Sequence, residues 1–322
     1  QTDKRSGEHG YTKVYERYFS PMREKTLTIL EIGCGIGHFA WLLIREVESQ
    51  LQRELTKLDV KYVLSDLIDS NLSFASNHPQ LKGYFERELL ETFQFEISGN
   101  NSISKLYPGT IVVVANYAFD SSPQDIFHMD EGEICLIKPT IYGSKECDDF
   151  SDDTDNLHFI YEKVPTTSSY YNESEINRIL YSLSKRGGSG YLSFPINVLR
   201  FLISIKNEEF VLLTSDLPRP EWKSPLTQNL PQLNWRGGIW MSIDFEVLNS
   251  WINHRDGQIL VGSSYKKGLT TAVCISKKLS EIFKKDLTSE DFLIKTPDSW
   301  LSINNILLYW REDLSISELI EW

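Results

Sequence analysis

Apolar runs and polar breaks alternate along this chain with two spacings, one of strands covered on both faces and one of amphipathic helices. Residues 27–32 form an apolar run carrying the β-branched Thr28, Ile29 and Ile32, which predicts a buried parallel strand. Gly33, Gly35 and Gly37 follow without a break. From Ala40 the apolar positions Ala40, Leu43, Ile44, Val47, Leu51 and Leu55 recur at helical spacing with charges between them, so a helix is expected on to Leu58. A second strand is expected at 60–64, closing in Ser65-Asp66, then a helix over 69–87 interrupted near Pro79, and a third strand at 89–95. Residues 110–115, Thr-Ile-Val-Val-Val-Ala, make a continuous apolar run that must be buried on both sides. Further strands are expected at 132–142, 210–214, 258–262 and 270–276, and helices at 173–184, 197–205 and 245–254. This strand and helix alternation predicts an α/β protein.

The remaining stretches break that rhythm. Tyr11, Val14, Tyr15, Tyr18 and Phe19 recur at helical spacing and end before Pro21, which predicts an N-terminal helix with an aromatic face. Glu146, Asp148, Asp149, Asp152, Asp153 and Asp155 crowd one loop. That loop lacks the glycine of a calcium loop and reads as a solvated acidic insertion, or as a surface facing a basic substrate. Lys185-Arg186-Gly187-Gly188-Ser189-Gly190 reads as a flexible joint. The span 132–190 is therefore expected as a cap inserted into a core of 27–131 and 191–287. Trp300, Ile303, Leu307 and Trp310 give one apolar helical face, and Ser315 to Glu318 opens another helix. A C-terminal helical extension over 288–322 follows, a possible site of protein contacts. Because Gln1 opens the chain and Trp322 falls inside an expected helix, the chain is expected to be a piece of a longer one.

Composition narrows the function classes. At 322 residues, 41% hydrophobic and 24% charged, the chain has the make-up of a soluble globular protein with a full core. No apolar segment is long enough to cross a bilayer, and neither a signal peptide nor a membrane partner is expected. The net charge of −12 argues against a nucleic-acid backbone as partner, since phosphates are met by clustered Lys and Arg. The four cysteines, Cys34, Cys135, Cys147 and Cys274, have no paired zinc spacing. Reduced thiols in a cytoplasmic protein are expected, and no metal.

Candidate chemistry begins at the glycine bend. A strand that turns through glycines into a helix lets a ligand approach bare backbone and helix amides. The dinucleotide pattern Gly-x-Gly-x-x-Gly needs a glycine where His38 stands, and the phosphate loop Gly-x-x-x-x-Gly-Lys-Ser/Thr is absent. Packing alone could also require these glycines. Asp66, at the end of the second strand, fits an acid that receives ribose hydroxyls, although an exposed loop Asp would look the same.

Glu31-x-Gly33-x-Gly35-x-Gly37 resembles motif I of the class I S-adenosylmethionine-dependent methyltransferases. In that family the acid orients the glycine loop and the methionine end of the cofactor. The segment Thr2-Asp3-Lys4, His9 to Thr12 and Tyr15-Glu16 resembles the stretch before motif I in bacterial sugar and natural-product O-methyltransferases, where it forms a lid; His9 and Tyr11 are its counterparts here. Asn116-Tyr117-Ala118-Phe119-Asp120, followed by Pro123, resembles the segment after strand four of the MidA-like methyltransferases, which include mitochondrial arginine methyltransferases needed for assembly of respiratory complex I. Tyr117 stands where that family has Glu. The orders Phe194-Pro195-Ile196, then Ser215-Asp216, then Ile243-Asp244-Phe245 are similar to the same pattern.

These resemblances imply a Rossmann-like class I methyltransferase fold, with a seven-stranded, mostly parallel sheet whose last strand is antiparallel. They imply S-adenosyl-L-methionine as cofactor. Glu31, Gly33, Cys34, Gly35 and Gly37 would lie at its methionine end, Asp66 with Leu67 at the ribose, Glu96 with Phe95 at the adenine, and Tyr11 in the lid. Asn116 would serve cofactor and acceptor. Tyr117 and Asp120 would face the acceptor, with Asp120 or His128 as base; His128 is expected on a helix. The acceptor is expected to be a protein or peptide side chain or a small hydroxylated molecule. A catalytically silent scaffold built on the same fold is the alternative.

Overall fold

The computed structural model describes residues 27–51, 60–97, 103–143, 157–216, 226, 230, 234–235, 239–261 and 270–283. The expected lid at 1–26, the acidic loop at 146–155 and the C-terminal helices at 288–322 lie outside the described residues.

Seven strands of the described residues form one sheet. β1 (Leu27–Ile32) pairs in parallel with β2 (Val60–Asp66) on one side and β4 (Thr110–Asn116) on the other, and β2 pairs with β3 (Leu90–Gln94). β4 pairs in parallel with β9 (Phe210–Asp216). β12 (Gln258–Val261) and β13 (Thr270–Ile275) complete the order β12-β13-β9-β4-β1-β2-β3, with β13 antiparallel to both neighbours. The order reverses direction between β1 and β4. Such a reversal leaves a crevice beyond the carboxyl ends of the strands, where ligands of open α/β sheets bind.

The apolar runs are unbroken because both faces of the sheet are covered. Ile111, Val113 and Ala115 of β4 point into one core together with helices α6 (Ile196–Ser204) and α7 (Phe245–Asn253). Val112 and Val114 point into the other, with Ala40, Trp41 and Ile44 of α1 (His38–Leu51) and Leu72 and Leu81 of α2 (Asp69–Asn77) and α3 (Pro79–Glu86). The break expected near Pro79 is the boundary between α2 and α3. Two shorter helices, α4 (Ile103–Leu106) and α8 (Lys277–Phe283), lie before β4 and after β13, and a short antiparallel pair, β10 (Asn234–Trp235) and β11 (Ile239–Trp240), lies between β9 and α7.

A second sheet is inserted between β4 and β9, in the order β7-β6-β5-β8. β6 (Glu133–Gly143) and β7 (Leu157–Thr166) form a long hairpin arm, and α5 (Ser174–Ser184) follows. The helix expected to carry His128 is instead the strand β5 (Asp125–Asp130), and the expected joint at 185–190 runs into a further strand, β8 (Ser189–Phe194). What makes β5 a strand is its turn. Glu131 (φ 46°) and Gly132 (φ 94°) are both left-handed and Asp130 faces Glu133, which is the two-residue hairpin turn that matches strand twist. Phe127, Met129, Leu192 and Phe194 then share the core of α5 and α6, so the inserted sheet packs on the same interior as the large one.

Gly37 sits where α1 leaves the bend, at φ 86°, and a Cβ there would meet Leu81 Cδ1 at 2.8 Å and Ala75 Cβ at 3.1 Å. Gly35, at φ 53°, has nothing within 4 Å of the same hypothetical atom. Gly37→Ala should therefore cost about 2–4 kcal/mol, from backbone strain plus overpacking, and Gly35→Ala only about 1 kcal/mol. Urea denaturation of the two variants checks the difference; equal losses would contradict it.

Candidate functional site

At the carboxyl ends of β1, β2 and β4 the backbone changes from ladder to loop, and its freed amides need partners. Cys34 N–H donates to Ser65 O (2.9 Å) and Gly37 N–H to Cys34 O (3.0 Å), closing the bend on itself and on β2. Asp66 supplies the third tie. Its Oδ2 accepts from Gly35 N–H at 2.8 Å and its Oδ1 from Ile68 N–H at 2.8 Å. The acid expected at a ribose therefore already braces the glycine bend, and each oxygen keeps a second lone pair for another donor.

Glu31 is buried at the end of β1, where Tyr62 Oη donates to its Oε2 at 2.7 Å. Burial pushes the carboxyl up to about 8, opposed by the Tyr62 bond and assisted by the Asp66 charge. Burial likewise raises the Tyr62 phenol and the Cys34 thiol, and lowers the His38 imidazole to about 4. The inner wall of the bend thus favours neutral forms. Cys34 is a protonated, buried thiol whose Sγ meets Gly35 O at 3.4 Å.

Asp66 and Glu96 lie at the same end of the sheet, since Phe95 N–H donates to Asp66 O at 3.0 Å one residue before Glu96. Glu96 is exposed. Phe95 is buried in the core, stacked on Phe93 and meeting Phe201 edge to face. Leu67 and Ile68, beside Asp66, are 62% and 54% exposed, an apolar shelf next to the open space over Gly35.

On the β4 side, Asn116 is one residue beyond Ala115, the partner of Ile32, so it stands beside Gly33. Both polar atoms of its side chain are buried, and neither has a hydrogen-bond partner. A buried unpaired carboxamide is costly, of order 1–3 kcal/mol for each orphaned group. Tyr117 follows at φ 51°, a left-handed conformation that costs a bulky residue about 1–3 kcal/mol. The turn carries the chain across the bend, where a Cβ on Gly33 would lie 3.5 Å from Ala118 Cβ. Asp120 is buried, and its Oδ1 accepts from Ser121 Oγ at 2.9 Å.

His128 is not on a helix. It lies in β5, opposite Cys135 and Tyr191, with its ring 4.9 Å from that of Tyr191, and burial together with Lys163 lowers its imidazole. The structure thus brings together Glu31, the glycines, Asp66, Glu96, Asn116, Tyr117 and Asp120, and puts His128 in the inserted sheet. Tyr11 lies outside the described residues. Two residues carry site geometry that the sequence pattern leaves without a role: Tyr62, on Glu31, and Asp216, on the loop after β4. An acid ending an otherwise apolar strand was the available signal for Asp216.

Two open clefts of about 400 and 380 Å³ share Lys206, Asn207, Glu208 and Lys278. They lie before β9 and after the antiparallel β13, at the opposite end of the sheet from the bend.

The likeness to known proteins follows this geometry. No family model matches the chain, and no curated protein matches it by sequence. Among solved structures, an uncharacterized protein from Burkholderia thailandensis is 12% identical, covering 88% of this chain and 82% of its own, with a TM-score of 0.53. A second Burkholderia thailandensis protein of the same superfamily, bound to S-adenosyl-homocysteine, is 12% identical, covering 84% of this chain and 78% of its own, with a TM-score of 0.50. The fold is that of the class I methyltransferases. The likeness is one of fold, and it matches the seven-stranded architecture expected from the sequence. No helix among the described residues is long and apolar enough to cross a membrane.

The Glu31 environment sets a pH dependence. A carboxyl at about 8 when folded and near 4.5 when unfolded binds its proton more tightly in the native state. Stability should therefore fall as pH rises from about 4.5 to about 8 and level off above, by a few kcal/mol in all. His38 contributes the opposite slope between about 6.5 and 4. Glu31→Gln should flatten the fall between pH 6.5 and 8, read from urea midpoints; a wild-type chain with no fall there would contradict the burial of Glu31.

Proposed function

We propose that this protein is an S-adenosyl-L-methionine-dependent methyltransferase acting on a protein or peptide side chain or on a small hydroxylated molecule. One observation carries the reading: at the topological switch point, the glycine bend has open space beside Gly35 and is crossed by the loop that follows Asn116, whose buried carboxamide has no partner.

The residues present fit the cofactor's chemistry. Asp66 has lone pairs left for a ribose diol, Leu67 and Ile68 offer an apolar face to the adenine, and Glu96 can accept from its exocyclic amine. The glycine bend, Glu31 and Asn116 would meet the methionine end. When bound, the cofactor supplies a methyl group on a sulfonium that is already electrophilic. The protein's remaining tasks are to hold the acceptor in line at near-contact distance and to take its proton. Asp120 is the carboxylate of the β4 loop proposed for the proton, and Asn116 and Tyr117 would orient the acceptor. Asp120 is proposed ahead of His128, which stands in the inserted sheet, because Asp120 lies on the loop that borders the glycine bend. The net charge of −12 suits a basic peptide or a small molecule better than a nucleic acid, and a cytoplasmic setting is proposed with it.

Calorimetric titration with S-adenosylhomocysteine tests the reading. Binding at micromolar affinity is expected. Gly35→Ala should weaken it by about tenfold or more while leaving stability within about 1 kcal/mol, because its methyl projects into the hollow and not into packed atoms. Absence of heat in a folded wild-type chain would sink the cofactor reading and favour an interaction scaffold. Tritium-methyl transfer to fractionated extract would then separate peptide from small-molecule acceptors.

A further inference from the structure

An Asn at the end of a strand ordinarily caps the turn that follows, its side-chain oxygen accepting from amides two or three residues on. Asn116 does not. The amide three residues on is taken by another residue, for Asp216 Oδ2 accepts from Phe119 N–H at 3.0 Å, and it also accepts from Asp120 N–H at 3.3 Å. Asp216 is the last residue of β9 and fully buried, and the neighbouring register pairs Asn116 with Ser215. Tyr117 N–H donates to Ser215 O at 2.9 Å. The left-handed Tyr117 is therefore held from β9 on both sides, by the backbone of Ser215 before the turn and by the carboxylate of Asp216 after it.

We propose that Asp216 is a positioning residue: by occupying the Phe119 amide that Asn116 would otherwise cap, it keeps the Asn116 carboxamide unpaired and available to a ligand in the crevice. A carboxylate outcompetes a carboxamide for backbone N–H groups because its bonds are charge-assisted. The buried orphan atoms of Asn116 are the price of that arrangement, recovered when a ligand supplies their partners. The ligand half of this inference rests on the cofactor reading above; the clamp itself does not.

Amide hydrogen exchange at Phe119 and Asp120 in the full chain, read by NMR, tests the clamp, and S-adenosylhomocysteine titration tests its consequence. Asp216→Ala should speed exchange of both amides by about tenfold or more, the loss expected for a charge-assisted bond. Asp216→Asn keeps a side-chain carbonyl and should restore most of the protection. In the Asp216→Ala chain the Asn116 side-chain amide resonance should shift as it pairs with the loop, and affinity should fall by about tenfold. Adding Asn116→Ala should cost nothing more, because Asp216 acts through Asn116. Unchanged exchange in a folded Asp216→Ala chain, an Asn variant as fast as the Ala variant, or additive affinity losses would overturn the proposal. Should Asp216→Ala fail to fold, Asp216→Asn decides: protected amides with an unmoved Asn116 resonance support the clamp, and rapid exchange overturns it. A wild-type chain with both amides protected but no binding would sink the cofactor reading and leave the clamp standing.

Discussion

Where parallel strands end together, a row of backbone amides loses its ladder partners at once, and the loops that follow have shape only if something accepts from them. In this protein carboxylates do so. Asp66 receives Gly35 and Ile68, and Asp216 receives Phe119 and Asp120. Both acids are strand-terminal and nearly or fully buried, and each reaches from its own strand to the loop of its neighbour or its own continuation. The crevice between β1 and β4 exists because the two loops bordering it are tied back to β2 and β9 in this way. Left-handed residues at Gly33, Gly35, Gly37 and Tyr117 are the local consequence, since a chain held at both sides of so short a turn has few other conformations to adopt.

Burial of those ties sets the electrostatics of the wall. Glu31, Cys34, Tyr62 and His38 all move toward their neutral forms, and in each burial is the first cause. A wall of that kind leaves charge recognition to the rim, where Glu96 is exposed. A cation entering beside Glu31 would lower its carboxyl and so gain a charge partner. That coupling fits a site whose ligand carries both a sulfonium and an ammonium.

Much of the sheet was legible in the chain because strands covered on both faces must be continuously apolar; the runs at 27–32, 110–115 and 210–214 admit few other readings. β5 and β8 were not legible in this way. Asp-Ile-Phe-His-Met-Asp and Ser-Gly-Tyr-Leu-Ser-Phe are half-polar segments whose strand character comes from pairing with each other across about 60 residues and from the left-handed turn at Glu131-Gly132. The glycine bend and Asp66 announced themselves by position next to a strand. Asp216 stood in the same kind of position, but what it and Tyr62 do was not legible, because each acts on a partner 97 or 31 residues away, and no local pattern records a hydrogen bond of that span.

The two ends of the sheet differ in how completely their polar groups are paired, and this difference separates the site from the clefts opposite. At the amino end Thr110 Oγ1 donates to Glu209 at 2.8 Å, Lys278 meets Glu208 and Glu209 at 2.8 and 3.2 Å, and Asn207 Nδ2 donates to both Tyr107 O and Gly109 O. Asn207 has only its Oδ1 unpaired, and the amino group beside it anchors the turn before β4. Asn116, at the carboxyl end, has neither atom paired although amides it could cap lie two or three residues on. An orphan surrounded by satisfied neighbours is a packing cost; an orphan whose natural partners have been drawn off by a better acceptor is a group kept in reserve. The clefts at the amino end are thus lined by groups that pair with one another, Asn207 Oδ1 apart, whereas the Asn116 carboxamide at the carboxyl end has neither atom paired.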